Sequence, residues 1–224
     1  MARDNSPQER QRKQLERRTG HRAAYARVLI VTEGSKTEPH YFQELCSALR
    51  LPTAHVHVRH SILGTTPSQV VQSAQALFLH GDPHKGWPKR AFDEVYAVFD
   101  RDEHNNYFEA LQKTQALDGK LRNDDKRPVI FKAIASVPAF ELWLLLHFCD
   151  VREPLRRDEA LARLKRELPG YNKGSTGVYE RTQHALTIAI ERCETLATKF
   201  NAHTAPEPFT AVATLVRRLF CLKE

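Results

Sequence analysis

The chain contains 224 residues, of which 41% are hydrophobic and 27% are charged, and this composition is typical of a globular protein rather than a disordered or fibrous one. The formal net charge of +7 is compatible with a polyanionic partner such as nucleic acid. The four cysteines are scattered without a C-x-x-C pair, which argues against a zinc knuckle or a disulfide framework and favours a reducing, cytoplasmic location.

The N-terminal residues lack the apolar core of a signal peptide, and the longest apolar stretch, residues 140–148, is too short to span a bilayer. We therefore expect no membrane association. Residues 1–24 are polar and arginine-rich, which predicts a disordered basic arm. Such an arm could contact nucleic acid, or it could serve as a solubilising tail or a partner-bound segment.

Apolar, β-branched runs alternate with segments of helical periodicity along most of the chain. The predicted strands are residues 27–32, 55–62, 95–99 and 127–135. The predicted helices are residues 39–49, a segment opening at 66–68, 105–117, 136–148, 155–168, 188–200 and a last helix from about residue 209. This order predicts an α/β fold with a mainly parallel four-stranded sheet flanked by helices. We expect the α/β domain to cover residues 25–150, with residues 151–224 as a helical addition packed on it.

The first predicted strand ends at Glu33 and Gly34, which places Glu33 at the carboxyl end of a strand. Gly34 permits a tight turn with positive φ or a close approach of another group to the backbone. The following residues, GSKT, look like part of a P-loop. In that motif lysine follows glycine directly and another glycine lies five residues before, where this chain has Leu29, so we reject a nucleotide-binding P-loop.

The third predicted strand runs into an acidic cluster that contains Asp100 and Asp102. In open α/β sheets the carboxyl ends of the strands border the ligand crevice. If the strand continues, both carboxylates point the same way, and their repulsion favours a cation such as Mg²⁺ between them. The alternative is a solvated acidic turn in which Asp102 caps the next helix.

Glu141 is a single carboxylate within an otherwise apolar helical segment. Burying it is costly unless it is paired, hydrogen-bonded or bound to a metal. Lys173, in the polar loop of residues 171–177, or an arginine of the helical addition, is the expected partner. The alternative is that Glu141 lies at the start of its helix, favoured by the helix dipole, and partly reaches water.

Three segments of this sequence together resemble the RloB-like family, which includes AbiLii-type abortive-infection proteins and is related to the Toprim domain. The segments are EGSKTEPHYF at residues 33–42, FDRD at 99–102 and PAFELWLLLHF at 138–148. The YNK of residues 171–173 and the PFTAV of 208–212 are also similar to it. The resemblance covers the chain from about residue 27 to the last helix and implies a Toprim-like fold.

The resemblance implies a Toprim-type active site with Mg²⁺, or Mn²⁺, as cofactor. It implies that Glu33, Asp100 and Asp102 are the catalytic and metal-binding residues, with Glu33 completing the metal site or moving a proton. Substrate-binding roles fall to Lys36, Arg101 and Lys173, and supporting roles to Gly34 and Glu141.

The implied function is a metal-dependent nuclease that cleaves phosphodiester bonds, in RNA rather than DNA, during bacterial antiphage defence by abortive infection. Toprim topoisomerases carry their attacking tyrosine on a separate domain, and no segment here is large enough for one, so hydrolysis by water is favoured over strand passage. A separately encoded defence ATPase is a further expected partner. The alternative is a non-catalytic Toprim-like subunit that binds nucleic acid or such an ATPase.

Overall fold

The structure is a computed structural model that describes residues 26–101, 105–204 and 206–223. The basic arm of residues 1–24 and Asp102 therefore lie outside the described residues. The strands are β1 Val28–Thr32, β2 Val56–His60, β3 Glu94–Asp100, β4 Ile130–Val137 and β5 Phe209–Thr210. The α-helices are α1 Thr37–Ala48, α2 Pro67–His80, α3 Tyr107–Leu117, α4 Glu141–Leu145, α5 Arg157–Glu167, α6 Val178–Thr182, α7 Leu186–Ala197 and α8 Val212–Cys221.

The strands form one sheet in the order β2-β1-β3-β4-β5. The first four are parallel, which confirms the predicted α/β class and the mainly parallel sheet. β1 and β3 are neighbours at the centre of the sheet, and every residue in both strands is buried. Their apolar runs follow from this position, because a central parallel strand is covered on both faces and has no polar side.

Each face of the sheet carries its own hydrophobic core. The side chains of Leu29 and Phe99 belong to the core that includes α2 and α3. Ile30 and Val98 belong to the other core, which includes α1 and continues into the helices after residue 150. Alternation along the strands produces this division, since successive side chains point to opposite faces. The C-terminal helices are therefore part of the packing that buries one face of the sheet.

The C-terminal segment also contributes β5, an antiparallel edge strand that the sequence did not predict. Phe209 and Thr210 pair with Val137 and Ser136 of β4, and α8 begins only at Val212. The prediction of a helix from about residue 209 was thus about three residues early. A strand of two residues is too short to display a period of two, so its sequence carries no strand signal.

Two predictions around β4 and α3 were wrong in detail. The helix predicted for residues 136–148 begins at Glu141 and is five residues long, because β4 continues to Val137 and pairs with both β3 and β5. Pro138 consequently lies before the helix and not in its first turn. The helical spacing of apolar residues in 105–117 predicts Phe108 as a core residue, but its side chain is 39% exposed. Within the part of the chain that is described, no helix is long and apolar enough to cross a membrane.

Candidate active site

Glu33 and Asp100 meet where the two central strands end. β1 and β3 are parallel with Thr32 opposite Val98, so their carboxyl ends lie at the same edge of the sheet. The Glu33 amide donates to the Val98 carbonyl oxygen at 2.9 Å, and the Asp100 amide donates to Glu33 Oε2 at 2.9 Å. The Glu33 side chain thus lies over the end of β3, as expected for acids at neighbouring strand ends.

Position 34 needs glycine because the Glu38 side chain approaches its Cα closely, and not because the backbone has a positive φ there. The Thr32 hydroxyl donates to the Gly34 carbonyl oxygen at 2.9 Å and fixes the turn after β1. A Cβ placed at Gly34 would overlap Oε2 of Glu38 and lie 3.1 Å from its Cδ. Glu38, in the first turn of α1, is 8% exposed. The glycine therefore makes room for a second buried carboxylate beside Glu33.

These residues line a cavity of about 200 Å³ at the carboxyl edge of the sheet. It includes six of the residues selected from the sequence and six others. Its lining residues are Glu33, Gly34, Ser35, Lys36, Thr37, Glu38, Asp100, Phe140, Glu141, Arg157, Lys173 and Gly174. The cavity therefore brings together a strand turn, a strand end, the start of α4 and two segments from beyond residue 150.

Four carboxylates face this cavity, and their surroundings raise the pKa of two of them, Asp100 and Glu38. Burial raises the pKa of Asp100 well above its usual value, and the charges of Glu38, Glu33 and Glu141 raise it further. Burial also raises the pKa of Glu38, with a smaller contribution from Glu141. Negative charge is thus concentrated where little water reaches it, which is the environment that attracts a cation.

Two basic side chains from the C-terminal segment approach these carboxylates. Lys173 Nζ lies 3.5 Å from Glu141 Oε1, which is the partner predicted from the sequence. Arg157 Nη2, at the start of α5, lies 3.9 Å from Asp100 Oδ2. Both cations are about half exposed, whereas Asp100 and Glu141 are almost fully buried. The cations therefore neutralise the carboxylates from the solvent side of the cavity.

The loop that carries Lys173 is held by α1. The Gly174 amide donates to Thr37 Oγ1 at 2.9 Å. Further along, the amides of Gly177 and Tyr179 both donate to the Glu44 carboxylate. Gly174 has a φ of +84° and lies against Lys36, whose Cδ would be 2.8 Å from a Cβ at that position. A glycine is consequently needed there both for the backbone conformation and for the contact.

Comparison with known protein families supports the relationship suggested by the sequence motifs. The model of the RloB-like protein family matches residues 28–219, which include every described residue of the cavity. The chain belongs to the RloB-like protein family. No curated protein and no solved structure matches it at a significant level.

In this RloB-like protein one described candidate lies elsewhere. Arg101 is outside the carboxylate cavity and lines a neighbouring cleft with Arg157. Its amide donates to the Ser136 carbonyl oxygen at 2.8 Å, so the β3–β4 ladder continues for one residue after Asp100. Consecutive residues of an extended chain point to opposite sides, and Arg101 therefore points away from the side chain of Asp100.

Glu38 and Arg157 are cavity residues that sequence reasoning missed. Glu38 belongs to the segment that carries the family resemblance, and it lies four residues after the glycine turn. That spacing could have indicated it, because the first turn of a helix that follows a strand lies over the end of the sheet. Arg157 offered no comparable signal, since it begins an amphipathic helix and is 57 residues from the aspartate it approaches.

The donor chemistry of the cavity fits a hard divalent cation. Carboxylate oxygens are the ligands that Mg²⁺ prefers, and the pKa of Asp100 is raised by its burial and then by the charges of Glu38, Glu33 and Glu141. Among residues 26–101, 105–204 and 206–223, however, no three histidine, cysteine or acidic side chains are already arranged as a metal site. Glu33 and Asp100 are the described residues best placed to hold such an ion, with Glu38 and Glu141 close by.

Proposed function

We propose that this RloB-like protein is a Mg²⁺-dependent nuclease of the Toprim type that hydrolyses phosphodiester bonds, in RNA rather than DNA. We further propose that it acts in the cytoplasm in antiphage defence by abortive infection, alone or with a separately encoded ATPase. One observation carries the proposal. The cavity between the ends of β1 and β3 combines buried acids, namely Asp100 beside Glu33, with basic side chains on its rim.

The acidic side chains of the cavity are suited to bind a metal ion, and its basic side chains are suited to bind the phosphate of the substrate. Glu33, Asp100 and Asp102 would hold the metal, with Asp102 assigned from the sequence alone. When bound, Mg²⁺ neutralises charge on the phosphate and lowers the pKa of an attacking water. Lys36 and Lys173 supply the positive charge that binds non-bridging phosphate oxygens.

Glu33 is suited to accept a proton because its orientation is fixed. The Asp100 amide donates to Oε2 at 2.9 Å, which holds the carboxylate at the end of β3, where it could accept a proton from an attacking water. The neighbouring carboxylates Glu38 and Glu141 add negative charge near that proton.

A metal titration tests the proposal before any substrate is known. We expect Mg²⁺ to raise the melting temperature of the wild-type protein and to leave that of Asp100→Asn unchanged. Glu194→Gln is the matched control, because it removes an exposed acid that pairs with Arg217 on the helical side of the molecule. Equal shifts in all three proteins would refute a metal role for Asp100.

Sequencing of cut ends identifies the reaction. Cellular RNA and DNA are isolated after induction of wild-type protein and of Asp100→Asn, and new termini are mapped in both pools. New RNA termini that require Asp100 support the proposal. The absence of new termini in either pool, in cells that nevertheless stop growing, contradicts nuclease activity.

A non-catalytic role is the second candidate, and one observation favours it. Arg157 and Lys173 already neutralise Asp100 and Glu141 at 3.9 Å and 3.5 Å, so the carboxylates have cations without any metal. In that case the cavity stabilises the fold, and the protein binds nucleic acid or an ATPase through other surfaces. The metal titration separates the two candidates, because this one expects no Asp100-dependent shift.

A further inference from the structure

A second cleft adjoins the carboxylate cavity and shares one side chain with it. Arg157 lines both, so the two spaces meet at the start of α5. The second cleft has a volume of about 560 Å³, larger than the cavity. Its described lining residues are Arg101, Val137, Pro138, Leu155, Arg156, Arg157, Asp158 and Pro206. A chain-like ligand in the cavity would therefore extend directly into this cleft.

The described lining of the cleft is positively charged. It contains three arginines and one aspartate, Asp158. Arg156 lies 3.5 Å from Asp158, but both side chains are more than 70% exposed, so water screens this pair and the arginine can bind another anion. Arg101 Nε is buried and has no hydrogen-bond partner among the described residues. A buried donor without an acceptor is costly, so the Arg101 guanidinium would gain a favourable partner by turning toward a ligand oxygen in the cleft.

An exposed aromatic surface lies next to Arg101. Its guanidinium lies over the rings of Tyr107 and Phe108, with its central carbon 5.7 Å and 5.6 Å from the ring centroids. Phe108 is 39% exposed and stacks on His203, with 6.1 Å between the centroids and 17° between the planes. The exposed ring of Phe108 is therefore not accounted for by packing in the hydrophobic core. Aromatic rings beside arginines are the surfaces on which unpaired bases stack.

We propose that this cleft binds a single-stranded segment of nucleic acid on its way to the cavity. Arg101 and Arg156 bind backbone phosphates, and an unpaired base stacks on Phe108 and His203. A base in a duplex has both faces covered by its neighbours, so only an unpaired base reaches this surface. The inference rests on the proposed function in one respect, because it places the next phosphate of the strand among the carboxylates.

Metal-free binding tests this inference separately from cleavage. Fluorescence anisotropy with EDTA compares a labelled single-stranded 12-nucleotide RNA, the DNA of the same sequence and the RNA duplex, in wild type and variants. Phe108→Ala removes the ring, and Phe108→Leu keeps apolar packing without a π face. Arg156→Gln removes one phosphate contact. Arg217→Gln is the matched control, since Arg217 is also an exposed arginine paired with an acid, Glu194.

We expect the single strands to bind more tightly than the duplex. Both Phe108 variants should weaken single-strand binding at least about five-fold, because stacking of one base contributes that much or more. Arg156→Gln should reduce the slope of log K against log salt by about 0.7, the value for one phosphate contact on a single strand. Arg217→Gln should change neither quantity, and melting temperatures of all variants verify that they are folded.

The outcomes separate this inference from the nuclease proposal. The inference is overturned if single strand and duplex bind with equal affinity, or if folded Phe108→Leu and Arg156→Gln bind as wild type does. Either result holds even if Mg²⁺-dependent cleavage is found. Variant-sensitive binding of single strands supports the cleft even if the cut-end sequencing finds no new termini and thereby contradicts the nuclease proposal. Tighter binding of RNA than of DNA identifies the 2′-hydroxyl as part of what the cleft recognises.

Discussion

Replacing Gly34 by alanine tests how the cavity is built, because it should separate stability from activity. The new methyl group would overlap Oε2 of Glu38, which must withdraw by roughly 1 Å to restore van der Waals contact. The far end of a flexible side chain can make this movement, and the φ of Gly34 lies outside the left-handed region. Alanine also stabilises by about 0.4–1 kcal/mol by restricting the unfolded chain. We therefore expect a change in unfolding free energy of less than about 1 kcal/mol.

Activity should respond far more strongly, because the displaced carboxylate borders the proposed metal and phosphate positions. A misplacement of about 1 Å in an active site can reduce a rate about 100-fold. Urea unfolding followed by tryptophan fluorescence measures stability, and Mg²⁺-dependent cleavage of the RNA identified from cut ends measures activity. The control is Gly34→Ala combined with Glu38→Ser, in which the methyl group meets no carboxylate. A loss of more than about 2 kcal/mol that persists in this double variant would show that the backbone forbids a side chain, and would refute the reasoning.

Three further predictions concern buried charge. Without metal at pH 7, Asp100→Asn should be more stable than wild type, because burial and the neighbouring carboxylates raise the pKa of Asp100 and so penalise its ionised form in the folded state. The folded-state pKa of Asp100 is above its unfolded value, so this difference should shrink as the pH falls toward 4 in urea titrations. Lys173→Gln should cost about 1–2 kcal/mol because Glu141 loses its cation, and adding Glu141→Gln should restore most of it. Burial lowers the pKa of His147 to about 4, so stability should fall by up to about 3 kcal/mol between pH 6.5 and 4, and His147→Phe should lack this loss.

Each of these has a contradicting result. A pH-independent difference between Asp100→Asn and wild type would mean that packing, and not ionisation, causes it. Equal destabilisation by Lys173→Gln with and without Glu141→Gln would show that the lysine acts through its alkyl chain. If His147→Phe loses as much stability between pH 6.5 and 4 as wild type does, groups other than His147 cause that loss.

The central part of the fold was predictable because burial restricts its strands to apolar residues, which the sequence shows directly. Strands such as β1 and β3 are covered on both faces, so each contains a continuous apolar run, residues 28–31 in β1 and 95–99 in β3, that leads to an acid at the end of the strand. The same contrast identified Glu33, Asp100 and Glu141, each of which interrupts or follows an apolar run. Their convergence then follows from the parallel register of the sheet.

The rest depended on tertiary placement that local sequence does not encode. Arg157 lies in an ordinary amphipathic helix, and only the packing of α5 near α4 brings it to Asp100. Arg101 was assigned to the same site as Asp100, but alternation along the strand points it into another cleft. β5 exists because a two-residue segment meets the free edge of β4, a contact between residues about 74 apart in the chain.

The hydrogen bonds that the loop of residues 174–179 donates to side chains of α1 connect two sides of the cavity. This helix begins directly after the Gly34 turn, and it holds the loop at both ends through Thr37 and Glu44. The wall that carries Glu33 and Glu38 is thereby joined to the loop that carries Lys173. Arg157, at the start of α5, borders the same cavity but belongs to another element. On the proposed function, we therefore expect a strand to enter and leave on the side of Arg157.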